Sequence, residues 1–185
     1  MRFFHISDLH FGKLLYGYDL TEEHRNFIEQ LGDYCDKYNP DAVLIAGDVY
    51  DRSVPSADAM TLLDELLNKL SGRRVFIISG NHDNAKRLSF GKDFLKKHDI
   101  YISTVPQTGE NEKIEKVTFA DEYGNVNIYM LPFLKPALFK NSMPEEAAAG
   151  EDAIIKKLVE NTDIDKNERN IILAHQFFVS GHKEP

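Results

Sequence analysis

Cysteine is almost absent: Cys35 is the only one among 185 residues, which excludes an intrachain disulfide and a thiolate metal cluster. Its setting, FIEQLGDYCDKY, suits a small buried hydrophobe better than a reactive thiol. No apolar run reaches the roughly 18 residues of a membrane-spanning helix. The opening MRFFHISDLH lacks the basic, apolar and small-residue zones of a secretion signal, so a soluble cytoplasmic protein is expected. An excess of positive charge is also missing. The formal net charge of −8 argues against a generally basic nucleic-acid platform. It leaves a polyanionic substrate open, because carboxylates gathered around cations count as negative in that sum. No internal repeat, low-complexity tract or linker interrupts the chain, and one domain is expected at this length and 42% hydrophobic content.

What is present is a regular succession of elements. RFFHIS, DAVLIAG and RRVFIIS are short β-branched and aromatic runs, each ending at a polar or glycine-rich turn, as buried parallel strands do. Between the first two, TEEHRNFIEQLGDYCDKY predicts a helix with Thr21 as N-cap and Glu22 and Glu23 in its first turn, closed by Asn39-Pro40. SADAMTLLDELLNKL predicts a second capped, amphipathic helix before the third strand. This βαβαβ series implies a parallel sheet with right-handed crossovers. Beyond it, LSFGKDFLKKH predicts a helix and IYIS a strand. EKVTFADEYGNVNIYMLPF predicts a hairpin turning at Gly124-Asn125 and opening a second sheet. PEEAAAGEDAIIKKLVENT reads as a helical stretch interrupted at Gly150, and NIILAHQFF as a late strand. The fold class is α/β, turning mixed toward the C-terminal side.

In open α/β sheets ligands sit beyond the carboxyl ends of the strands. Here SDLH after the first strand supplies Asp8 and His10, and GDVYD after the second supplies Asp48 and Asp51. GNHD after the third supplies Asn81, His82 and Asp83, and the late strand delivers His175. Turn chemistry explains each of these singly. Together, four strand ends, read as belonging to one sheet, release carboxylates, an amide and imidazoles toward one edge. Oxygen and nitrogen donors without cysteine suit Mn²⁺, Fe or Zn²⁺. Two divalent cations roughly 3.5–4 Å apart repel, and a carboxylate between them offsets that repulsion. Asp48 is the best bridge because it leaves the middle strand of the three. Such ions also ionise a bound water near neutral pH, so no serine or cysteine nucleophile is required. Asn81 points its amide oxygen at a metal, which leaves its neighbour His82 facing the substrate, where it can give a proton to a leaving alkoxide or stabilise developing charge. Asp83 either orients that imidazole or caps the helix of NAKRL.

The ordered motifs DLH, GDVYD, GNHD and AHQFF resemble those of the calcineurin-like metallophosphoesterases. More narrowly, HISDLHFGK, GDVYDRSVPS, SGNHDN and LPFLKP resemble the bacterial SbcD nuclease family of DNA double-strand-break repair. The likeness covers essentially the whole chain. It implies a sandwich of two mixed sheets flanked by helices and a two-metal-dependent exo- and endonuclease that hydrolyses phosphodiester bonds in DNA end processing, replication and recombination. Mn²⁺ is the implied metal, with Mg²⁺, Fe or Zn²⁺ as alternatives. The resemblance puts Asp8, His10 and Asp48 on one metal and Asp48, Asn81 and His175 on the other, with His82 catalytic and Asp51, Asp83 and Arg52 behind them or toward the substrate. It further implies a homodimer that acts on double-stranded ends and hairpins with an SMC-like ATPase of the SbcC type. One departure stands out: the family closes its metal site with Gly-His-x-His, whereas SGHKEP offers Gly181 and His182 followed by lysine and reads as a loop. The expectation is therefore a nuclease domain over residues 1–185, truncated before that motif and weak or inactive by itself.

Candidate DNA contacts are basic. NAKRLSFGKDFLKK gathers Lys86, Arg87, Lys92, Lys96 and Lys97 behind the GNHD turn, as phosphate binding by counterion release requires, although a solvated helix face would look the same. In HFGKLLYGYDL, Lys13, Tyr16 and Tyr18 lie on a loop where exposed aromatics could stack on bases, form a subunit interface or merely cover the sheet edge. His5 in the first strand, His24 on the outer side of its helix and His98 at a helix C-terminus are not first-choice ligands. Two rival readings stay open. One is a phosphoprotein phosphatase or small phosphodiesterase, against which Ser53 stands where that family has glycine and Asp83 where it has glutamate. The other is a catalytically incomplete module that binds DNA ends or a partner.

Overall fold

The structure is a computed structural model that describes residues 1–105 and 112–178; the loop expected around Gly181 and His182 lies outside the described residues. From the N-terminus, strand β1 (Phe3–Ile6) leads through a small ribbon, β2 (Leu14–Leu15) and β3 (Tyr18–Asp19), to helix α1 (Thr21–Tyr38) and strand β4 (Ala42–Ala46). Helix α2 (Ala57–Lys69), strand β5 (Val75–Ile78), the single turns α3 (Ala85–Leu88) and α4 (Lys92–Leu95), and strand β6 (Ile100–Ser103) follow. The chain continues with β7 (Glu115–Asp121), β8 (Gly124–Leu131), α5 (Pro144–Ala149), α6 (Glu151–Asn161) and β9 (Arg169–Ala174).

Two sheets face each other. The first is parallel, in the order β1-β4-β5-β6, and the second runs β7-β8-β9. Every residue of β4 and β5 is buried, which is why both read as uninterrupted apolar runs rather than alternating ones. Their period of two still sorts side chains between two cores. Val43, Ile45 and Ile77 pack under α1 and α2, whose inward stripes include Ile28, Leu31, Cys35, Leu62 and Leu66. Leu44, Ala46, Phe76 and Ile78 face the other way, against Val126, Ile128, Met130 and Leu173 of the second sheet. The outer face of that sheet, Tyr129 and Leu131, is covered by Ile154 and Leu158 of α6 with Phe139 and Met143. The result is a layered helix–sheet–sheet–helix sandwich in which each large buried apolar side chain contributes on the order of 2 kcal/mol.

Several local expectations hold and several shift. Ser56 caps α2, its Oγ accepting from the Ala59 N–H at 3.2 Å, and Gly150, at φ 111°, separates α5 from α6. Thr21 does not cap α1. Leu20 occupies the cap position without a side-chain bond, and Asp19 Oδ1 accepts from both Thr21 N and Thr21 Oγ1 at 2.8 and 2.6 Å. The loop after the first strand contains the β2–β3 ribbon, turning on Tyr16 and Gly17 at φ 52° and 84°, the conformations a type I′ hairpin needs. In the β7–β8 hairpin Asp121 pairs with Gly124, so Glu122 and Tyr123 form the turn, held by Asp121 Oδ1 accepting from Tyr123 N at 2.8 Å. The helix expected over LSFGKDFLKKH is broken at Gly91, φ 72°: Leu88 ends α3, and only α4 and a 3₁₀ turn over Lys96–His98 follow. The largest correction concerns β9, which runs parallel to β8 in the second sheet. His175 therefore does not leave the sheet that carries β1, β4 and β5. No helix among the described residues is long and apolar enough to cross a membrane.

Candidate metal centre

Strands β1, β4 and β5 are parallel, so their carboxyl ends open on one edge, and β9 brings His175 to the same edge from the facing sheet. The loops beyond them continue the ladder. Asp8, His10 and Phe11 donate backbone N–H bonds to Gly47, Asp48 and Val49 at 3.1, 2.9 and 2.9 Å, and Asp51 N–H returns one to Phe11 at 3.1 Å. Asp8, His10 and Asp48 take φ values of 56°, 47° and 49°, a region that residues with a Cβ seldom occupy. Backbone in such regions costs about 1–3 kcal/mol per residue and persists where surrounding bonds over-determine it. Two glycines make the approach possible. A Cβ on Gly47 would meet His175 Nδ1 at 2.5 Å, and one on Gly80 would overlap the Asp48 carboxylate.

Asp48 is the hub, with 3% of its surface exposed. Its Oδ1 accepts from the His82 backbone N–H at 2.9 Å. Its Oδ2 faces His175 Nε2 at 3.6 Å, His10 Nε2 at 3.7 Å and His82 Nε2 at 4.0 Å. Asp8 Oδ1 lies 3.7 Å from His10 Nε2, and Asn81 Oδ1 lies 3.2 Å from His175 Nε2. Two tautomers are fixed from behind. His175 Nδ1 is 2.6 Å from the Ala46 carbonyl and His82 Nδ1 is 2.8 Å from the Asp51 carbonyl. A carbonyl can only accept, so each Nδ1 carries the proton, and in the neutral ring Nε2 presents a lone pair. For His175 that lone pair confronts the oxygens of Asp48 and Asn81, an arrangement that repels unless a proton or cation lies between.

For the Asp48 contacts the spacing distinguishes the two, whereas the 3.2 Å from His175 Nε2 to Asn81 Oδ1 is itself a hydrogen-bond length. Separations of 3.6–4.0 Å exceed hydrogen-bond lengths. Two donors each about 2.1 Å from a common ion, at tetrahedral to trigonal angles, stand about 3.4–3.6 Å apart. Donor atoms converge in two sets, His10–Asp48–His82 and Asp8–Asp48–His175, with Asp48 common to both. The set contains nitrogen and oxygen donors only, so the residues fit divalent cations of the Mn²⁺, Fe or Zn²⁺ kind. His82 belongs to one set, yet it is the farthest from Asp48, and its side chain is 43% exposed against 15% for His10 and 16% for His175.

The surrounding residues divide. Asp51 Oδ1 stands 3.3 Å from His10 Nδ1 but off-line, which leaves that nitrogen buried without a hydrogen bond among the described residues. Asp83 neither orients the His82 ring nor caps a helix. Its Oδ2 accepts from Gly80 N at 2.9 Å and Val49 N at 3.1 Å and its Oδ1 from Tyr50 N at 2.9 Å, so it staples the GDVYD loop to the GNHD loop. Burial pushes its carboxyl pKa up, opposed by those three N–H bonds and reinforced by the charge of Asp48. The cap of α3 is Asn84, whose Oδ1 accepts from Arg87 N at 3.1 Å. Arg52 stands at the rim, its Nε 3.8 Å from Asp51 Oδ2 and its side chain mostly exposed. Lys13 is half-buried on the loop after His10, and Lys86 and Arg87 are exposed on α3.

Sequence reasoning missed the Ala46 and Asp51 carbonyls, which carry no side-chain signal. It also missed Phe133, whose ring meets His175 edge-on at 6.4 Å and whose N–H bonds the Ser79 carbonyl at 2.9 Å. The glycines directly before Asp48 and Asn81 were a legible signal of close backbone approach.

Comparison with known proteins gives two findings. Residues 1–184 match the family model described as calcineurin-like phosphoesterase. A curated relative, the SbcD component of the SbcCD nuclease of Staphylococcus epidermidis, is 30% identical over 180 residues, which is 95% of this chain and 46% of the relative. The chain thus spans about half the length of that relative.

Proposed function

Because the chain belongs to the calcineurin-like phosphoesterase family, we propose that its metal centre hydrolyses phosphodiester bonds in DNA, as part of an SbcD-type nuclease acting in the cytoplasm. The observation that carries this reading is Asp48 Oδ2 facing three imidazole Nε2 atoms at 3.6, 3.7 and 4.0 Å, with the Nδ1–H of two rings already committed to carbonyls. The 30% identity to a nuclease component points the chemistry toward DNA.

In this reading Asp8, His10 and Asp48 hold one Mn²⁺ and Asp48, Asn81 and His175 the other. Ions bound there supply Lewis-acid polarisation of a phosphoryl oxygen and lower the pKa of bound water toward neutrality. His82 is the group left free to face the substrate. The Asp51 carbonyl holds its Nδ1 proton, so proton exchange takes place at Nε2, where it serves the leaving oxygen. The Asp51 carboxylate flanks His10 Nδ1 at 3.3 Å, on the side from which carboxylates orient metal-bound imidazoles. Lys13, Lys86 and Arg87 bind DNA phosphates, and Arg52 lies where the strand enters. The partners are double-stranded DNA ends and hairpins, an ATPase of the SbcC type and a second copy of the chain. For the second copy, exposed Met60, Phe90 and Phe94 offer an apolar surface.

The test uses the natural protein that carries this sequence, with Mn²⁺ and linear duplex DNA. The wild type shortens the DNA, and His82→Ala lowers the rate at least about 100-fold while Mn²⁺ remains bound. Turnover of a phosphopeptide with DNA left intact would assign the site to a phosphatase instead.

A further inference from the structure

The two loops that carry Asp48 and Asn81 exchange bonds between side chain and backbone. Asp48, on the GDVYD loop, accepts from the His82 N–H of the GNHD loop at 2.9 Å. Asp83, on the GNHD loop, accepts in return from the Val49 and Tyr50 N–H groups at 3.1 and 2.9 Å, and from the Gly80 N–H of its own loop at 2.9 Å. The amides it holds therefore lie directly after Asp48 and directly before Asn81. On the other flank the first loop holds the same segment, with the His10 and Phe11 N–H groups bonding the Asp48 and Val49 carbonyls, both at 2.9 Å. Asp48, at φ 49°, is thus kept in the left-handed region from two sides.

Asp83 has 6% of its surface exposed, and the charge of Asp48 opposes its own. Burying a carboxylate is costly unless hydrogen bonds compensate it. What it supplies here is acceptors, since an ionised carboxylate accepts on both oxygens and donates nothing. Asparagine has nearly the same shape but only one oxygen. Its NH₂ group would face at least one of the three N–H donors and leave that amide without an acceptor. Asp83 belongs to neither set of converging donor atoms, so any part it plays in the site runs through the backbone of its neighbours.

We propose that Asp83 is a positioning residue for the metal centre: by accepting three backbone N–H groups from two loops it fixes where the Asp48 carboxylate stands relative to Asn81 and His82. The inference rests on the reading of Asp48 and Asn81 as ligands. It gives the last residue of GNHD a role separate from those of Asn81 and His82.

The test uses the natural protein that carries this sequence and compares Asp83→Asn with Asn127→Ala, which removes a buried polar group from the second sheet. Amide hydrogen exchange and thermal unfolding are followed without metal, and Mn²⁺ affinity by calorimetry. In Asp83→Asn, exchange at the amides of Val49, Tyr50 and Gly80 rises and Mn²⁺ affinity falls, each at least about tenfold. The unfolding midpoint falls in both variants, but Asn127→Ala stays within about threefold of wild type in loop exchange and in Mn²⁺ affinity, as a distant site should. Unchanged loop exchange or unchanged Mn²⁺ affinity in Asp83→Asn overturns the proposal. So does an equal loss of affinity in Asn127→Ala, which marks general destabilisation. In the wild type, Mn²⁺ slows exchange at the three amides more than at those of β6, because groups that hold the ligands are coupled to the metal they bind. Equal slowing at both places overturns the proposal even where Asp83→Asn does not fold. A wild type that binds no Mn²⁺ sinks the ligand reading and the proposal together, whereas Mn²⁺ binding that Asp83→Asn leaves intact sinks the proposal alone.

Discussion

At the Gly124 end of the second sheet, fully buried Asn127 accepts from Thr118 Oγ1 at 2.6 Å and donates to Glu168 at 2.8 Å and Asn170 at 3.0 Å. At the opposite edge of the sandwich Asp48, almost as buried, faces its three imidazole nitrogens at 3.6, 3.7 and 4.0 Å. Beside Asn127, Arg169 bonds Asp121 through both of its terminal nitrogens. Around Asp48 Oδ2, by contrast, the three imidazole nitrogens converge without touching it. Carboxylates and amides are present in both places. Direct bonds at the first make it a structural clamp, and donor separations too long for hydrogen bonds at the second leave room for a shared cation.

Four changes break or sharpen that contrast. The largest effect is expected from Asp48→Asn, which removes the charge common to both donor sets. Mn²⁺ affinity, read by titration, falls at least about 100-fold, and the metal-free unfolding midpoint stays put or rises as like charges are relieved. Next comes Gly80→Ala, whose Cβ would overlap the Asp48 carboxylate. It lowers stability by about 1–3 kcal/mol through overpacking and displaces Asp48, so denaturant unfolding and Mn²⁺ titration both register it. Asn127→Ala costs about 1–3 kcal/mol in unfolding free energy by leaving Thr118 Oγ1 and Glu168 Oε2 without their partner, and leaves Mn²⁺ affinity unchanged, which no site substitution should do. The smallest effect is one of pH. The Arg169 side-chain bond holds the Asp121 carboxyl well below the usual carboxylate range. Stability from that pair is present above the unfolded carboxyl pKa of about 3.9 and is lost as pH falls through the lower folded value. Asp121→Asn is therefore slightly less stable than wild type at neutral pH, and the gap closes on acidification in thermal melts.

The contrast also marks what could be read beforehand. DAVLIAG and RRVFIIS declared two buried parallel strands because burial on both faces leaves no polar alternation, and the acids, amide and histidines after the strands were legible as a cluster because parallel strands share one carboxyl edge. The membership of β9 was not legible: NIILAHQFF has the pattern of a strand but nothing in it names a partner, and pairing with β8 lies more than thirty residues away. Asp83 and Asn84 are adjacent residues of equal capping ability, and only the approach of the GDVYD backbone assigned one to the loops and the other to α3. His24, expected on the outer side of its helix, is half-buried with its ring edge-on to Phe11 at 5.2 Å, a contact that the helical pattern alone does not name.

The central claim is that Asp48 Oδ2 stands off from the imidazoles of His10 and His175 because it shares one cation with each. Anomalous diffraction from Mn²⁺-loaded crystals of the natural protein that carries this sequence tests it most directly. The account predicts anomalous density about 2.0–2.2 Å from Asp48 Oδ2 and from His10 Nε2 or His175 Nε2, with a second peak roughly 3.5–4 Å away. A site without anomalous density, in which the imidazoles close onto Asp48 as direct hydrogen bonds, would contradict it.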